Sequence, residues 1–317
     1  MSREWTVGAM SSGLYHKLVP ASIRDPLWTL RRRTIPKRYH DLRFRYAGRA
    51  FADRRLALGD YYWLFVLGCN NSGTTLLGQI LGSHPRVRML PKEGHHVSDA
   101  LPDPVQIEVG LGRMFTRRLD LFRWTEQDDS SMVARLRYDW ACRFSGDPPG
   151  ILLEKSPPDI IRSRWLQRHF SPARFIAIIR SPYAVAEGIR RRIGVSTEDA
   201  ARHWQKVHEI FLEDVGALER VLVVHYEQLC ADPANELARM EAFLELESPF
   251  DRTLITRKFA THSMTGEPAA IQNFNAKSLA RLTSDEIRLI SHVAGPQMEA
   301  LQYERRDGAP HLGLRAT

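Results

Sequence analysis

The chain has 317 residues, of which 43% are hydrophobic and 26% charged, and a net charge of +8. That length holds one large α/β domain with a well-buried core, which we take over two small ones, and the composition excludes disordered and fibrous classes. No run of about 18 apolar residues is present to span a bilayer. The start MSREWTVGAM has no apolar stretch behind its charge, so no secretory signal is predicted and the expected compartment is the cytoplasm.

The excess charge is local. Residues 1–55 carry 13 Lys/Arg against 4 Asp/Glu, leaving 32 against 33 for the rest. We expect a basic lead-in at 1–58, a main domain at 59–305 and a short tail at 306–317. The lead-in is either a solvated, partly helical segment or, through residues 17–55, a peripheral contact with the inner membrane surface or an anionic acceptor. A nucleic-acid partner is not expected, because the remainder is neutral and carries no such motif. Cys69, Cys142 and Cys230 are scattered, and no histidine grouping has ligand spacing, so neither a disulfide framework nor a metal site is predicted. The adjacent His95 and His96 read as a solvated loop.

In chain order, YYWLFVL (61–67) is a nearly continuous apolar run of strand length, followed at Gly68 by a loop and then by TTLLGQIL, which reads as a helix. VRML (87–90), ILLE (151–154), RFIAII (174–179) and VLVVH (221–225) share the character of strands buried on both faces. Helical patterns are predicted at 112–143, 158–169, 182–192, 197–219 and 232–245. The stretch 248–280 lacks periodicity and reads as a long loop over the site. TSDEIRLISHVAGPQMEALQY (283–303) reads as a last helix with Thr283 or Ser284 as its N-cap. Strands alternating with helices imply a mostly parallel central sheet flanked by helices, a three-layer sandwich of the phosphate-loop type.

GCNNSGTT (68–75) keeps the G-x-x-x-x-G frame of a phosphate loop but has Thr74 where a Walker motif has lysine. A loop that leaves a buried strand and opens a helix aims several N–H groups at one point, where the helix dipole also favours an anion. Gly73 lets the backbone approach that anion, and Ser72, Thr74 and Thr75 add hydroxyl donors. Arg180, at the end of the fourth strand, faces the crevice where open α/β sheets bind ligands, and its fork suits a phosphate.

The stretch NSGTTLLGQILGSHPRV resembles the 5′-phosphosulfate loop of sulfotransferases that use 3′-phosphoadenosine 5′-phosphosulfate (PAPS). RFIAIIRSPYAVAEGIRRR (174–192) is similar to their 3′-phosphate segment, with Arg180 and Arg192 at its two arginine positions. EKSP (154–157) resembles the lysine segment of the protein-tyrosine and bacterial carbohydrate branches, and VVHYEQLCADPANELARMEAFLEL (223–246) their Tyr-Glu-Asp-Leu segment. NFNAKSLARL with GPQMEALQY is familiar from bacterial members. Together these cover 61–303.

The resemblance implies a sulfotransferase that moves a sulfuryl group from PAPS, without a metal, to a hydroxyl of a carbohydrate, glycolipid or similar small-molecule or glycan acceptor, leaving 3′-phosphoadenosine 5′-phosphate (PAP). Lys155 then stabilises the leaving phosphate, and Glu93 is the base, although counting from the loop puts Lys92 at the family position; His95 and His96 are the alternatives. Asn71, Ser72, Gly73, Thr74, Thr75, Arg180, Arg192 and Ser278 hold the nucleotide, with Tyr226 by the adenine. Two positions depart from the family. Asn71 replaces a lysine or arginine on the sulfuryl oxygens, and Gly188 replaces a serine on the 3′-phosphate. An arginine from 86–88 is a candidate substitute for the missing charge, and Trp124, Trp140 and Phe274 are candidates to stack on a sugar, though core packing suits each better. A magnesium-ATP kinase with Glu154 at the metal and a catalytically silent nucleotide-binding module are the other readings.

Overall fold

The computed structural model describes residues 42, 44, 61–104, 114–144, 150–260 and 267–306. The chain divides into two compact units, Met1–Phe51 and Ala52–Thr317. The first contains only Leu42 and Phe44 among the described residues, so the predicted membrane contact at 17–55 and the lead-in 1–58 fall almost wholly outside them, as does the tail beyond Arg306. All the elements named below belong to the second unit.

Strand β1 (Tyr62–Leu67) is followed by helix α1 (Thr74–Leu81), β2 (Val87–Met89), the single turn α2 (Gly94–Val97), α3 (Leu119–Phe122), α4 (Val133–Ala141) and β3 (Ile151–Lys155). Then come α5 (Ser163–His169), β4 (Ala173–Ile179), α6 (Pro182–Ile193), α7 (Thr197–Asp214), β5 (Val221–His225), α8 (Tyr226–Ala231), α9 (Pro233–Leu244), α10 (Asn275–Leu279) and α11 (Ser284–Ala300). The strands pair in the order β2-β3-β1-β4-β5, all parallel. β1 is the central strand: Leu64 lies opposite Leu153 on one side and Arg174 on the other.

Period-two alternation divides the core into two layers. Leu64 and Val66 of β1 join Ile176 and Ile178 of β4 against Leu77 and Ile80 of α1 and Leu237 and Met240 of α9. Trp63 and Phe65 point the other way, into an aromatic layer in which Trp63 meets Trp140 of α4 at 5.7 Å and Phe170 at 5.0 Å, while Phe65 stacks on Phe175 at 5.6 Å. Such pairs contribute about 0.5–1.5 kcal/mol each beyond their buried area. The result is the three-layer parallel sandwich expected. No helix among the described residues is long and apolar enough to cross a membrane.

Several helical patterns are shorter or more broken than periodicity suggested. The stretch 112–143 is not one helix. Asp128 accepts from the backbone and hydroxyl of Thr125, and Asp129 from those of Ser131, so local side-chain turns win over helix between α3 and α4. Within 158–169, a 3-10 turn at Pro157–Ile161 precedes α5. Asp232 ends α8 and caps α9 by accepting from Asn235 N, with Pro233 at the first helical position, so the predicted helix at 232–245 is preceded by one that sequence missed. The last helix starts with Thr283 as its N-cap, in a reciprocal capping box with Glu286. The unperiodic stretch 248–280 carries a 3-10 turn at Arg252–Ile255, an antiparallel bridge between Phe259 and Ala269, and α10.

Candidate active site

The carboxyl ends of β1, β3 and β4 open on one cleft, lined by Asn71, Gly73, Thr74, Thr75, Glu93, Arg180, Gly188, Arg192 and Ser278 among others. Of the residues predicted for the site, Ser72, Lys155 and Tyr226 stand behind this surface rather than on it.

The loop between β1 and α1 needs its glycines. A Cβ on Gly68 would lie 2.8 Å from the Ile178 carbonyl oxygen, and Gly73 has φ 102°, in the left-handed region. Thr74 and Thr75 form the first turn of α1, whose leading amides have no intrahelical acceptor. Ser72 is fully buried, and no described residue hydrogen-bonds its hydroxyl. A buried donor without a partner costs about 1–3 kcal/mol, so a loop of this shape fits an anion that supplies the missing acceptor.

The opposite wall is cationic. Arg180 is clamped on three sides: Nε donates to Asn275 Oδ1 (2.8 Å), Nη1 donates to the Asn71 carbonyl (3.0 Å), and the guanidinium lies 4.1 Å from the Tyr226 ring centre. Asn275 is in turn fixed by donating to Glu227 Oε1 (2.6 Å), which also accepts from Ser181 N. Tyr226, expected beside an adenine, is 3% exposed, its hydroxyl donates to the Gln272 carbonyl, and Arg180 lies against its ring face, so it forms a floor under that arginine. Arg192 donates from Nη1 to Asn71 Oδ1 (2.8 Å). Arg191, which the sequence reading passed over, also lines the cleft and bonds Glu187 one turn back. Ser278 reaches the cleft from α10, buried at 3%.

On the third side, Lys155 Nζ donates to Glu93 Oε1 at 2.7 Å, with the lysine side chain 13% and the glutamate 29% exposed. Lys92 points to solvent, so Glu93 is the residue that the β2 loop delivers to the cleft. His95 Nε2 stands 3.4 Å from the other Glu93 oxygen, whereas His96 is exposed and 3.8 Å from Asp103. The histidine pair therefore does have a third group nearby: ligating atoms of Glu93, His95 and His96 all lie within 4.8 Å of one another, contrary to the expectation of a solvated loop. The ammonium of Lys155 on Glu93 makes this arrangement an acid–base one.

Beneath the pair lies a buried carboxyl network. Glu154 Oε1 accepts from Gly94 N (2.7 Å) and Ser156 Oγ (2.5 Å). Burial, reinforced by the Asp159 carboxylate, raises the pKa of Glu154 well above the usual carboxylate range. A Cβ on Gly94 would fall 2.7 Å from Trp140 and 2.8 Å from Glu154, which leaves only glycine room to approach. Of the aromatic candidates for a sugar, Trp140 is core and Trp124 packs on Trp165 and Arg162, while Phe274 does line the cleft. Arg86 does not enter the site; it pairs with Glu247, and Arg88 donates to the Pro85 carbonyl.

A parallel sheet whose central strand ends in a glycine-bearing loop opening a helix, faced by clamped arginines and a lysine–glutamate pair, defines an α/β protein whose cleft suits an anionic ligand. A family model described as the sulfotransferase family matches residues 64–251, and the chain belongs to that family. It is 28% identical over 191 residues to "Protein-tyrosine sulfotransferase 1" of Danio rerio, covering 58% of this chain and 53% of that protein. It is 22% identical over 275 residues to "Protein-tyrosine sulfotransferase" of Drosophila melanogaster, covering 79% of this chain and 53% of that one, so it spans about half the length of these relatives. Among solved structures, the sulfotransferase domain from the curacin biosynthetic pathway superposes with a TM-score of 0.45 at 19% identity, covering 78% of this chain and 99% of that one.

Proposed function

We propose that this chain transfers a sulfuryl group from PAPS to an acceptor hydroxyl, and the observation that carries the reading is the Lys155–Glu93 pair at 2.7 Å beside the anion loop. PAPS supplies an activated sulfuryl group on a phosphate leaving group. The amides of Gly73 to Thr75 and the orphaned Ser72 hydroxyl hold its 5′ end, and Arg180 and Arg192 hold its 3′-phosphate. Glu93 takes the proton of the acceptor hydroxyl as the oxygen–sulfur bond forms and the sulfur–oxygen bond to phosphate breaks. Lys155, released from Glu93 as that carboxylate becomes protonated, stays at the bridging oxygen and balances the charge left on the phosphate. His95 orients Glu93.

The acceptor follows from two different resemblances. The bacterial carbohydrate branch points to a sugar or glycolipid hydroxyl, for which Phe274 offers a stacking face, whereas the relatives named above are protein-tyrosine sulfotransferases and favour a tyrosyl hydroxyl. A panel of glycans and tyrosine peptides, assayed with labelled PAPS, separates them. The kinase reading is disfavoured because Glu154, the carboxylate it needs at the metal, is turned into the protein interior.

Calorimetric titration of the full chain with PAP tests the proposal, with magnesium-ATP and AMP as controls. PAP binding is expected to weaken about ten- to hundred-fold in Arg180→Ala. Lys155→Ala is expected to cut kcat about 10²- to 10³-fold with little change in PAP affinity. Preference for magnesium-ATP would overturn the reading, and PAP binding without turnover on any acceptor would favour the silent module.

A further inference from the structure

Glu93, His95 and His96 are gathered by one short turn. The Gly94 N–H donates to Glu154 Oε1 (2.7 Å) and Ser156 Oγ (3.0 Å), and the His96 N–H closes the turn on the Glu93 carbonyl at 2.7 Å. The three side chains form a gradient of exposure, His95 at 3%, Glu93 at 29% and His96 at 41%. The two imidazoles meet edge to face with ring centres 4.2 Å apart, and ligating atoms of all three residues lie within 4.8 Å of one another. The spacing of the inner pair suits an ion better than a hydrogen bond. His95 Nε2 and Glu93 Oε2 are 3.4 Å apart, longer than a good N–H···O bond. Two ligands at about 2.1 Å on a tetrahedral zinc ion are separated by about 3.4 Å. Asp103 Oδ2 lies 3.8 Å from His96 Nδ1, so a carboxylate stands beside that ring, as it commonly does behind a metal-ligating histidine.

We propose that Glu93, His95 and His96 form an inhibitory site for a divalent transition ion of the zinc class, held by one carboxylate oxygen and two imidazoles with water in the fourth position. Two imidazoles and a single carboxylate select zinc or cobalt over magnesium or calcium, which take oxygen ligands. His96, the most exposed of the three, is the ligand that swings in to complete the set. The binding stands on this geometry alone, whereas its effect on turnover rests on the sulfotransferase reading. Lys155 holds Glu93 Oε1, and an ion on the His95 side takes Oε2, so neither oxygen is left to accept the proton of the acceptor hydroxyl. Ion and acceptor therefore compete for one carboxylate. The Lys155 ammonium repels the ion across that carboxylate and keeps its affinity below that of a structural zinc site, which makes the site reversible.

The test titrates the full chain with zinc by calorimetry and with cobalt by visible absorption, whose intensity reports four-coordination, with thermal melting to confirm that each variant folds. The tightest site is expected to take one ion per chain and to ignore magnesium. Removing a ligand is expected to cost at least what removing its supporting partner costs, so His96→Ala and Glu93→Gln should each weaken zinc about 10- to 100-fold. Lys155→Ala is expected to tighten zinc about tenfold, because the opposing charge is gone. With an acceptor that turns over, zinc should raise the acceptor's KM and leave kcat unchanged at saturating acceptor. Magnesium binding as tightly as zinc, zinc affinity unmoved by His96→Ala and Glu93→Gln, or zinc binding weakened by Lys155→Ala would each overturn the site while the sulfotransferase reading stands. Zinc binding with the expected variant pattern, in a protein that turns over no acceptor, upholds the site and sinks that reading.

Discussion

Glu154 shows how a residue can matter to a site without reaching it. Its carboxyl accepts from the Gly94 N–H and so fixes the backbone beside Glu93, while burial raises its pKa. The sign of the pH dependence follows from that. An unfolded glutamate titrates near about 4.3, so above that pH the unfolded chain has released a proton that the folded chain still holds, and folded stability falls as pH rises. Glu154→Gln keeps an acceptor for Gly94, adds a donor toward Asp159, and has no such proton. Its melting temperature relative to wild type is therefore expected to rise as pH increases above about 5, measured by scanning calorimetry, with turnover largely retained. A constant difference would mean that Glu154 is an ordinary carboxylate. The sequence shows Glu154, Lys155 and Ser156 as neighbours, and the strand's period of two explains why they part company, Lys155 toward Glu93 and Glu154 to the interior. What it could not show is that Tyr226 lies beneath Arg180, because that depends on how β4 and α8 pack.

At the scale of the element, α7 carries a second buried titratable group. His203 is fully buried, its Nδ1 is 2.6 Å from Thr116 Oγ1, and burial, aided by His208 and Arg117, lowers its pKa to about 3. Here the sign is opposite. Below about pH 6.5 the unfolded chain takes up a proton that the folded chain refuses, so stability is lost as pH falls from that value toward the folded one. His203→Gln is expected to lose less stability than wild type between about pH 7 and about pH 5, read from urea midpoints. The long apolar runs made the five strands legible, and the helix at 284–300 could be placed from its cap and first-turn acids. The segment 112–143 failed because its periodicity spans two short helices, with the intervening aspartates bonded to their own backbone. Of the stretch 248–280, read as a loop over the site, Ala269, Ala270, Gln272, Phe274 and Ser278 line the cleft, whereas Phe250, Leu254 and Phe259 are core, and α10 was missed because its five residues are too few to show a period.

For the whole molecule, charge placement matters more than net charge. Arg180, Arg191 and Arg192 line one wall of the cleft, and Glu93 is the acid among its lining residues, already neutralised by Lys155. Two of the three arginines are exposed, so their field is open to screening. PAP affinity is expected to fall several-fold between about 0.05 M and about 0.5 M salt, while a neutral acceptor's KM changes little, as titration and initial rates at each ionic strength would show. A salt-independent PAP affinity would mean that hydrogen bonds within the loop dominate.

The position of β1 at the middle of the sheet also bears on how the chain is made. Leu64 must wait for Leu153, about 90 residues later, and for Arg174 about 110 later. At roughly 5–20 residues per second on a ribosome, the segment YWLFVL spends on the order of 5–20 s without either neighbour. This apolar strand, and the loop it carries, is therefore exposed to chaperones for that interval, before the cleft exists.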